Sequence, residues 1–263
     1  MDTAVEVTVA HDATARAATA HLRVVTFNIH GDLGERVADE ILRNPMLRRA
    51  DVLVLEEVHG VAGCSAACVI ARELGYHAAF APEFVDRDGT DGVAIISRHP
   101  IRSTDVIALP HYDVHLNDER RTVALAAAID LGDGTAPVMV YAVHLVNRLT
   151  VAQRRNQMLP VLRHAEQHPA RAIIAGDFNT SPFTWIAHVI PVPTGTQDDR
   201  LEALARSHGF ATPVAASGAT SRYLSMKLDG IYTRGFATAA FATDEAGDVS
   251  DHIALLADLL SSR

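Results

Sequence analysis

The sequence predicts an α/β protein with mixed β-sheets, on three observations. Apolar runs of strand length recur from residue 22 to residue 259. Several are apolar almost throughout rather than alternating, as suits strands buried on both faces. Amphipathic stretches of helical spacing separate some of these runs, while others follow one another directly. At 263 residues and 48% hydrophobic, the chain can bury one large core. The expected organisation is an N-terminal extension over 1–21 and a single domain over 22–263.

The expected strands are 22–28, 51–57, 76–81, 92–98, 122–130, 136–145, 171–177, 227–234 and 251–259. A helix is expected over 35–49, where Val37, Ile41, Leu42 and Met46 recur at helical spacing. The segment around Cys64 and Cys68 also reads as a helix. Spacing i, i+4 then sets both thiols on one face, where a disulfide fits poorly, so two small packing residues are expected. A helix over 150–167 opens on Thr150 with Gln153 three residues on, a capping-box pattern, and Pro160 should kink or restart it. A further helix is expected over 198–208. The irregular, turn-rich stretch 182–226 contains Trp185, read as packing rather than substrate stacking.

The formal net charge is −9 and Lys227 is the only lysine. Without a dense basic block, extended nucleic-acid binding is less favoured, though a local arginine pocket for one phosphate remains. No apolar run reaches the ~18 residues of a membrane span. The N-terminus lacks a basic start followed by an apolar block, so no signal peptide is recognised; one cleaved before residue 1 would leave no trace. With the cysteines taken as reduced, a cytoplasmic monomer is expected, or a secreted one if the numbering starts after such a cleavage.

The chemistry collects where apolar runs stop: Asn28, Glu56-Glu57, His144, Asp177 with Asn179, Asp229, and Asp251-His252. In layered α/β folds ligands gather at strand ends. Asn, Glu and Asp supply hard oxygen donors of the kind Mg²⁺ prefers, and histidines with acidic partners can serve a phosphoryl group. Neither a G-x-S-x-G elbow nor a Walker loop is present.

The motifs "TFNIHG", "DVLVLEEV", "GVAIISRHPI", "VHL", "AGDFNTSP", "LDGIYTRG" and "SDHIAL", in that order, resemble the endonuclease/exonuclease/phosphatase superfamily from about residue 22 to 260. Its branches include pancreatic-type deoxyribonucleases, exonuclease-III-type nucleases, inositol-polyphosphate 5-phosphatases and sphingomyelinases. The resemblance implies a four-layer sandwich of two packed mixed sheets flanked by helices. It also implies hydrolysis of a phosphate ester by in-line attack of water with Mg²⁺ or Mn²⁺. Metal ligation would fall to Glu57, with Asn28 and Asp251 beside it. Asp177 and Asn179 would orient the water and hold the phosphate. His252, backed by Asp229, and His144 would contact phosphoryl oxygens, with Glu83 as a loose candidate to orient His144. Glu119 and Arg121 would border the site, Arg121 as a phosphate contact. The Asp229 pairing should raise His252 above its free value of about 6.5.

Two positions depart from the family pattern. Glu56 stands where many members have glutamine, which would put an extra carboxylate beside the metal ligand. His30 replaces the aspartate of exonuclease-III-type enzymes, which weakens an abasic-site reading. A small or lipid-linked phosphate ester is the favoured substrate, a nuclease the alternative, and a silent phosphate-binding module the rival of another class.

Overall fold

The computed structural model describes residues 4–10, 21–86, 89–113, 121–168, 171–182, 191–223 and 225–261. Glu119 and Trp185 lie outside the described residues. The strands are β1 (Glu6–Thr8), β2 (His21–Asn28), β3 (Val52–Gly60), β4 (His77–Asp86), β5 (Gly89–Ser97), β6 (Ile101–Ala108), β7 (Val123–Ile129), β8 (Val138–His144), β9 (Ala172–Asp177), β10 (Asp229–Arg234), β11 (Phe236–Asp244) and β12 (Ala254–Ser261). The helices are α1 (Gly34–Arg43), α2 (Ala66–Leu74), α3 (Val151–Gln167) and α4 (Thr194–Ser207). A seven-stranded sheet runs β1-β4-β5-β3-β2-β12-β11, and a five-stranded sheet runs β10-β9-β8-β7-β6.

The doubly apolar strands are explained by three separate buried layers. Between the sheets, Val24, Val52, Val54 and Ile95 of the first meet Leu125, Val140, Ala142 and Ile173 of the second. On the outer face of the first sheet, Val25, Phe27, Leu53 and Leu55 pack with Val37 and Ile41 of α1 and Ile70 of α2. On the outer face of the second, Ala124, Tyr141 and Ile174 pack with Met158, Val161 and Leu162 of α3 and Leu201 of α4. The result is the expected four layers, helix–sheet–sheet–helix. Each central strand presents apolar side chains to a helix on one side and to the other sheet on the opposite side.

The helix expected over 35–49 stops at Arg43, because Pro45 disfavours helical backbone at Asn44, which is extended; a short 3₁₀ turn at Leu47–Arg49 follows. The capping box on α3 forms as expected. That helix does not break at Pro160: the Asn156 carbonyl that proline leaves without a donor lies on the exposed face, where water can serve it. Helix α4 begins at Thr194, four residues before the expected start. Strands β1, β6 and β11, each at a sheet edge, were not among those expected.

The two cysteines are bonded to each other, contrary to expectation. Ser65 is the N-cap of α2, its Oγ accepting from Cys68 N at 3.2 Å, so Cys64 precedes the helix and is free to turn back onto Cys68. Glu6 of β1 fastens the same corner: its carboxylate accepts from Ser65 Oγ at 2.9 Å and from the Ser65 amide. The closed loop is short, so replacing both cysteines by serine is expected to cost about 2 kcal/mol of unfolding free energy. Urea denaturation reads this; an unchanged midpoint would mean the bridge constrains nothing in the unfolded chain.

Candidate active site

Two parallel strand pairs, β2/β3 in one sheet and β8/β9 in the other, bring their C-terminal ends to the same edge of the sandwich. Asn28 lies opposite Glu56, and His144 lies opposite Asp177. Strand β10 starts there too, with Asp229 opposite Asp177. The turn before β12 supplies Asp251 and His252 and is held in place by Ser250 Oγ, which donates to the Asn28 carbonyl at 2.6 Å. Residues from six separate segments therefore meet at one place.

Local backbone decides which side chains reach it. In β3 the register with β5 shifts between Leu55 and Val58, and Glu57 adopts φ +52°. This bulge separates two adjacent glutamates. Glu57 lines the cavity, while Glu56 is fully buried with its Oε1 accepting from Thr26 Oγ1 at 2.9 Å. Burial, then the charges of Asp229 and Asp177, push the Glu56 carboxyl well above the usual range. The extra carboxylate is thus an enclosed acid behind the site and not a second anion on the cavity wall beside Glu57. In β9, Gly176 at φ +152° lies so close to β8 that a Cβ there would sit 1.8 Å from the Val143 carbonyl oxygen. Glycine is what lets Asp177 emerge beside His144.

Asn28 bridges the sheets. Its Nδ2 donates to Glu57 Oε1 at 3.0 Å and to Asp177 Oδ2 at 3.2 Å, while its Oδ1 accepts from the His30 amide at 3.0 Å. Asp177 is 1% exposed, and its Oδ1 accepts from the Asn179 amide at 2.7 Å. Asn179 Nδ2 donates to the Leu145 carbonyl at 2.8 Å. His252 Nδ1 lies 3.0 Å from Asp229 Oδ2, and its Nε2 faces Asp177 Oδ2 at 3.8 Å. His144 Nδ1 lies 3.5 Å from Glu83 Oε2, with Nε2 facing Glu57 Oε1 at 4.0 Å and Asp177 Oδ2 at 3.9 Å. His30 Nδ1 stands between Glu57 Oε2 at 3.4 Å and Asp251 Oδ1 at 3.5 Å.

The electrostatics follow from this packing. Burial opposes the charged form of His252, but Asp229 outweighs it and raises the imidazole to about 11. Burial likewise opposes protonated His144, and Glu83, followed by Asp177 and Glu57, raises it to about 10. Burial pushes Glu57 up, yet His30, His144 and Asn28 together bring it down to about 2. Asp177 is pushed up to about 6 by burial, with Asp229 adding to the rise and the two histidines opposing it. At neutral pH His252 and His144 are therefore cationic, and Glu57 and Asp177 stand opposite them as anions.

These groups open onto a cavity of about 530 Å³. Glu57, His144, Asp177, Asn179, Asp251 and His252 line it, and Arg121 lines it from the chain entering β7. Asn28 and Asp229, 1% and 2% exposed, stand behind the lining residues. Among the described residues, ligand atoms of Asp177, Asp229 and His252 also lie within 4.8 Å of one another. Within that trio Asp229 and His252 Nδ1 are joined at 3.0 Å, and Asp177 faces the other ring nitrogen. His30 was read from sequence only as a departure; its place between Glu57 and Asp251 depends on the turn made by Ile29–Asp32.

A sequence profile described as the Endonuclease/Exonuclease/phosphatase family matches residues 25–252. No curated protein matches the chain in sequence. Solved structures share the fold. An endonuclease/exonuclease/phosphatase from Beutenbergia cavernae is 22% identical with TM-score 0.73, covering 92% of this chain and 72% of its own. The human Nocturnin catalytic domain is 18% identical with TM-score 0.67, covering 92% and 95%. A humanized D. rerio TDP2 is 15% identical with TM-score 0.62, covering 92% and 100%.

Proposed function

The chain belongs to the endonuclease/exonuclease/phosphatase family, whose members are hydrolases acting on phosphate ester bonds, and from that premise we propose that it hydrolyses a small or lipid-linked phosphate ester by in-line attack of water. The observation that carries the reading is the convergence of Glu57, Asp177, His144 and His252 on one cavity. Asp177, with Asn179 beside it, orients the water and accepts its proton. His252 and His144, both cationic, donate to phosphoryl oxygens as charge builds there. Asp229 and Glu83 keep the two imidazoles oriented and charged, and Arg121 binds phosphate at the rim.

The donor chemistry suits a divalent metal. Glu57, anionic down to about 2, and Asp251 both approach His30 on one side of the cavity, offering hard carboxylate oxygens. Mg²⁺ or Mn²⁺ held by Glu57 and Asp251 would neutralise charge on the transferring phosphoryl group. Asn28 offers its amide nitrogen to the two carboxylates, so its part is to fix Glu57 relative to Asp177 rather than to ligate through its oxygen.

The acidic net charge favours a compact substrate over duplex nucleic acid. No helix among the described residues is long and apolar enough to cross a membrane. The Cys64–Cys68 bridge fits an oxidising compartment better than the cytoplasm expected from reduced thiols.

Hydrolysis of bis-p-nitrophenyl phosphate with Mg²⁺ or Mn²⁺, with and without EDTA, tests the proposal. Turnover is expected with metal and not with chelator. Absence of turnover on that diester and on a panel of phospholipids, inositol phosphates and plasmid DNA would leave a silent binding module. Plasmid nicking without activity on small esters would select the nuclease alternative.

A further inference from the structure

Behind the cavity lie three polar side chains that the proposed chemistry does not use. Gln157 and Arg154 on α3 and Gln197 on α4 are each fully buried, although such groups are costly to enclose. Arg154 carries the largest side chain among those fully buried. Its Nη1 donates to Gln197 Oε1 at 2.5 Å, while Nε and Nη2 make no hydrogen bond among the described residues. A guanidinium so enclosed and incompletely paired contributes little to stability for its size, so its retention calls for another explanation.

The explanation lies in what the glutamines hold. His144 and Asp177 end adjacent parallel strands, and the chain leaving each of them forms a wall of the cavity. After His144, Val146 N donates to Gln157 Oε1 at 3.2 Å, and Gln157 Nε2 donates to the Pro110 carbonyl at 3.0 Å, tying that wall to the chain that leaves β6. After Asp177, Gln197 Nε2 donates to the Ser181 carbonyl at 3.1 Å and to the Val192 carbonyl at 2.9 Å. Val146 and Ser181 both line the cavity. Arg154 occupies the one acceptor oxygen of Gln197, which turns the amide nitrogen toward the two carbonyls. Asn179 is held by Asp177 and by the Leu145 carbonyl, which belongs to the same peptide unit as the Val146 amide that Gln157 holds.

We propose that Gln157, Arg154 and Gln197 form a positioning layer that fixes the two cavity walls following His144 and Asp177, and that through those walls they set affinity for the non-reacting part of the substrate. The inference rests on the hydrolytic reading of the cavity. The contacts that orient His144, Asp177 and His252 come from Glu83, Asn28 and Asp229 and not from this layer, so affinity can change with those groups in place.

The test is Gln197→Glu. Glutamate still accepts from Arg154, now as an ion pair, but has no donor for the Ser181 and Val192 carbonyls. Two readouts are taken. Hydrogen–deuterium exchange, which needs no turnover, should show faster exchange at Thr180 and Ser181 with the protein otherwise folded. Diester hydrolysis should show KM raised about tenfold with kcat within about twofold, the signature of lost uniform binding. Gln157→Glu, which loses only the donor to Pro110, gives an independent second case and should raise KM in the same way. Ser65→Ala, an N-cap loss on α2 away from the cavity, controls for destabilisation and should leave KM unchanged. Unchanged exchange and unchanged KM in both glutamate variants would overturn the proposal, as would KM rising equally in Ser65→Ala. If the wild type hydrolyses nothing, the hydrolytic reading fails, and the exchange data still decide whether the glutamines hold the walls.

Discussion

Replacing Asp177 with asparagine is expected to lower kcat for a diester substrate by about 10³-fold, the loss of a positioned general base. The substitution keeps the side-chain volume and an oxygen for the Asn179 amide. It removes the anion that faces both imidazoles. In the wild type, burial, with Asp229 adding to it, has pushed Asp177 up to about 6, so its basic form grows as pH rises through that value. The rate should therefore climb on the acid side near pH 6, and this limb should vanish in Asp177→Asn. Stopped-time assays of p-nitrophenol release across pH 4–8, about two units either side of that value, read both effects. A variant within tenfold of wild type, or one that keeps the acid limb, would show that another group takes the proton.

The second large effect concerns the His252–Asp229 dyad. His252→Gln is expected to cost about 10²–10³-fold in kcat, as for removal of one preorganised donor to developing negative charge. Asp229→Asn should cost less at neutral pH and act mainly through the proton. The wild-type imidazole is raised to about 11 against the penalty of burial, chiefly by Asp229. A group raised in this way is charged below its folded value and loses its charge as pH rises through it. Of these two imidazoliums, His144, at about 10, is then the first to lose its charge on the alkaline side in the wild type. Without Asp229, His252 should become the first, and the alkaline limb should move down by several units. An alkaline limb in Asp229→Asn that coincides with the wild-type one would mean that Asp229 does not set the charge of His252.

Much of this architecture can be read directly from the chain. Strands such as Val52–Gly60 and Ala172–Asp177 are apolar on both faces because each packs against a helix and against the opposite sheet, and that leaves a plain signal. Edge strands leave none. The sequence of Ile101–Ala108 is half polar, and Phe236–Asp244 is mostly alanine and threonine and exposed along much of its length. The reacting side chains were legible because they end apolar runs in a recurring order. Details that depend on three-dimensional offsets were not. Nothing in "LEEV" marks the bulge that sends Glu57 to the cavity and buries Glu56. The helical reading of the cysteine segment missed that Ser65 caps α2 one residue after Cys64. Gln157 and Gln197 look like ordinary helix-surface residues until the carbonyls and the amide they meet are known.

Metal placement is the point on which the functional account depends most directly. Equilibrium Mn²⁺ binding, read from the free-ion electron paramagnetic resonance signal, separates the two acidic groupings in the site. The expected result is that Glu57→Gln weakens binding at least about tenfold, whereas Asp229→Asn leaves it within about threefold, because Glu57 ligates and Asp229 serves His252. Binding that survives Glu57→Gln and is lost in Asp229→Asn would put the ion among Asp177, Asp229 and His252, and would contradict the roles assigned to both.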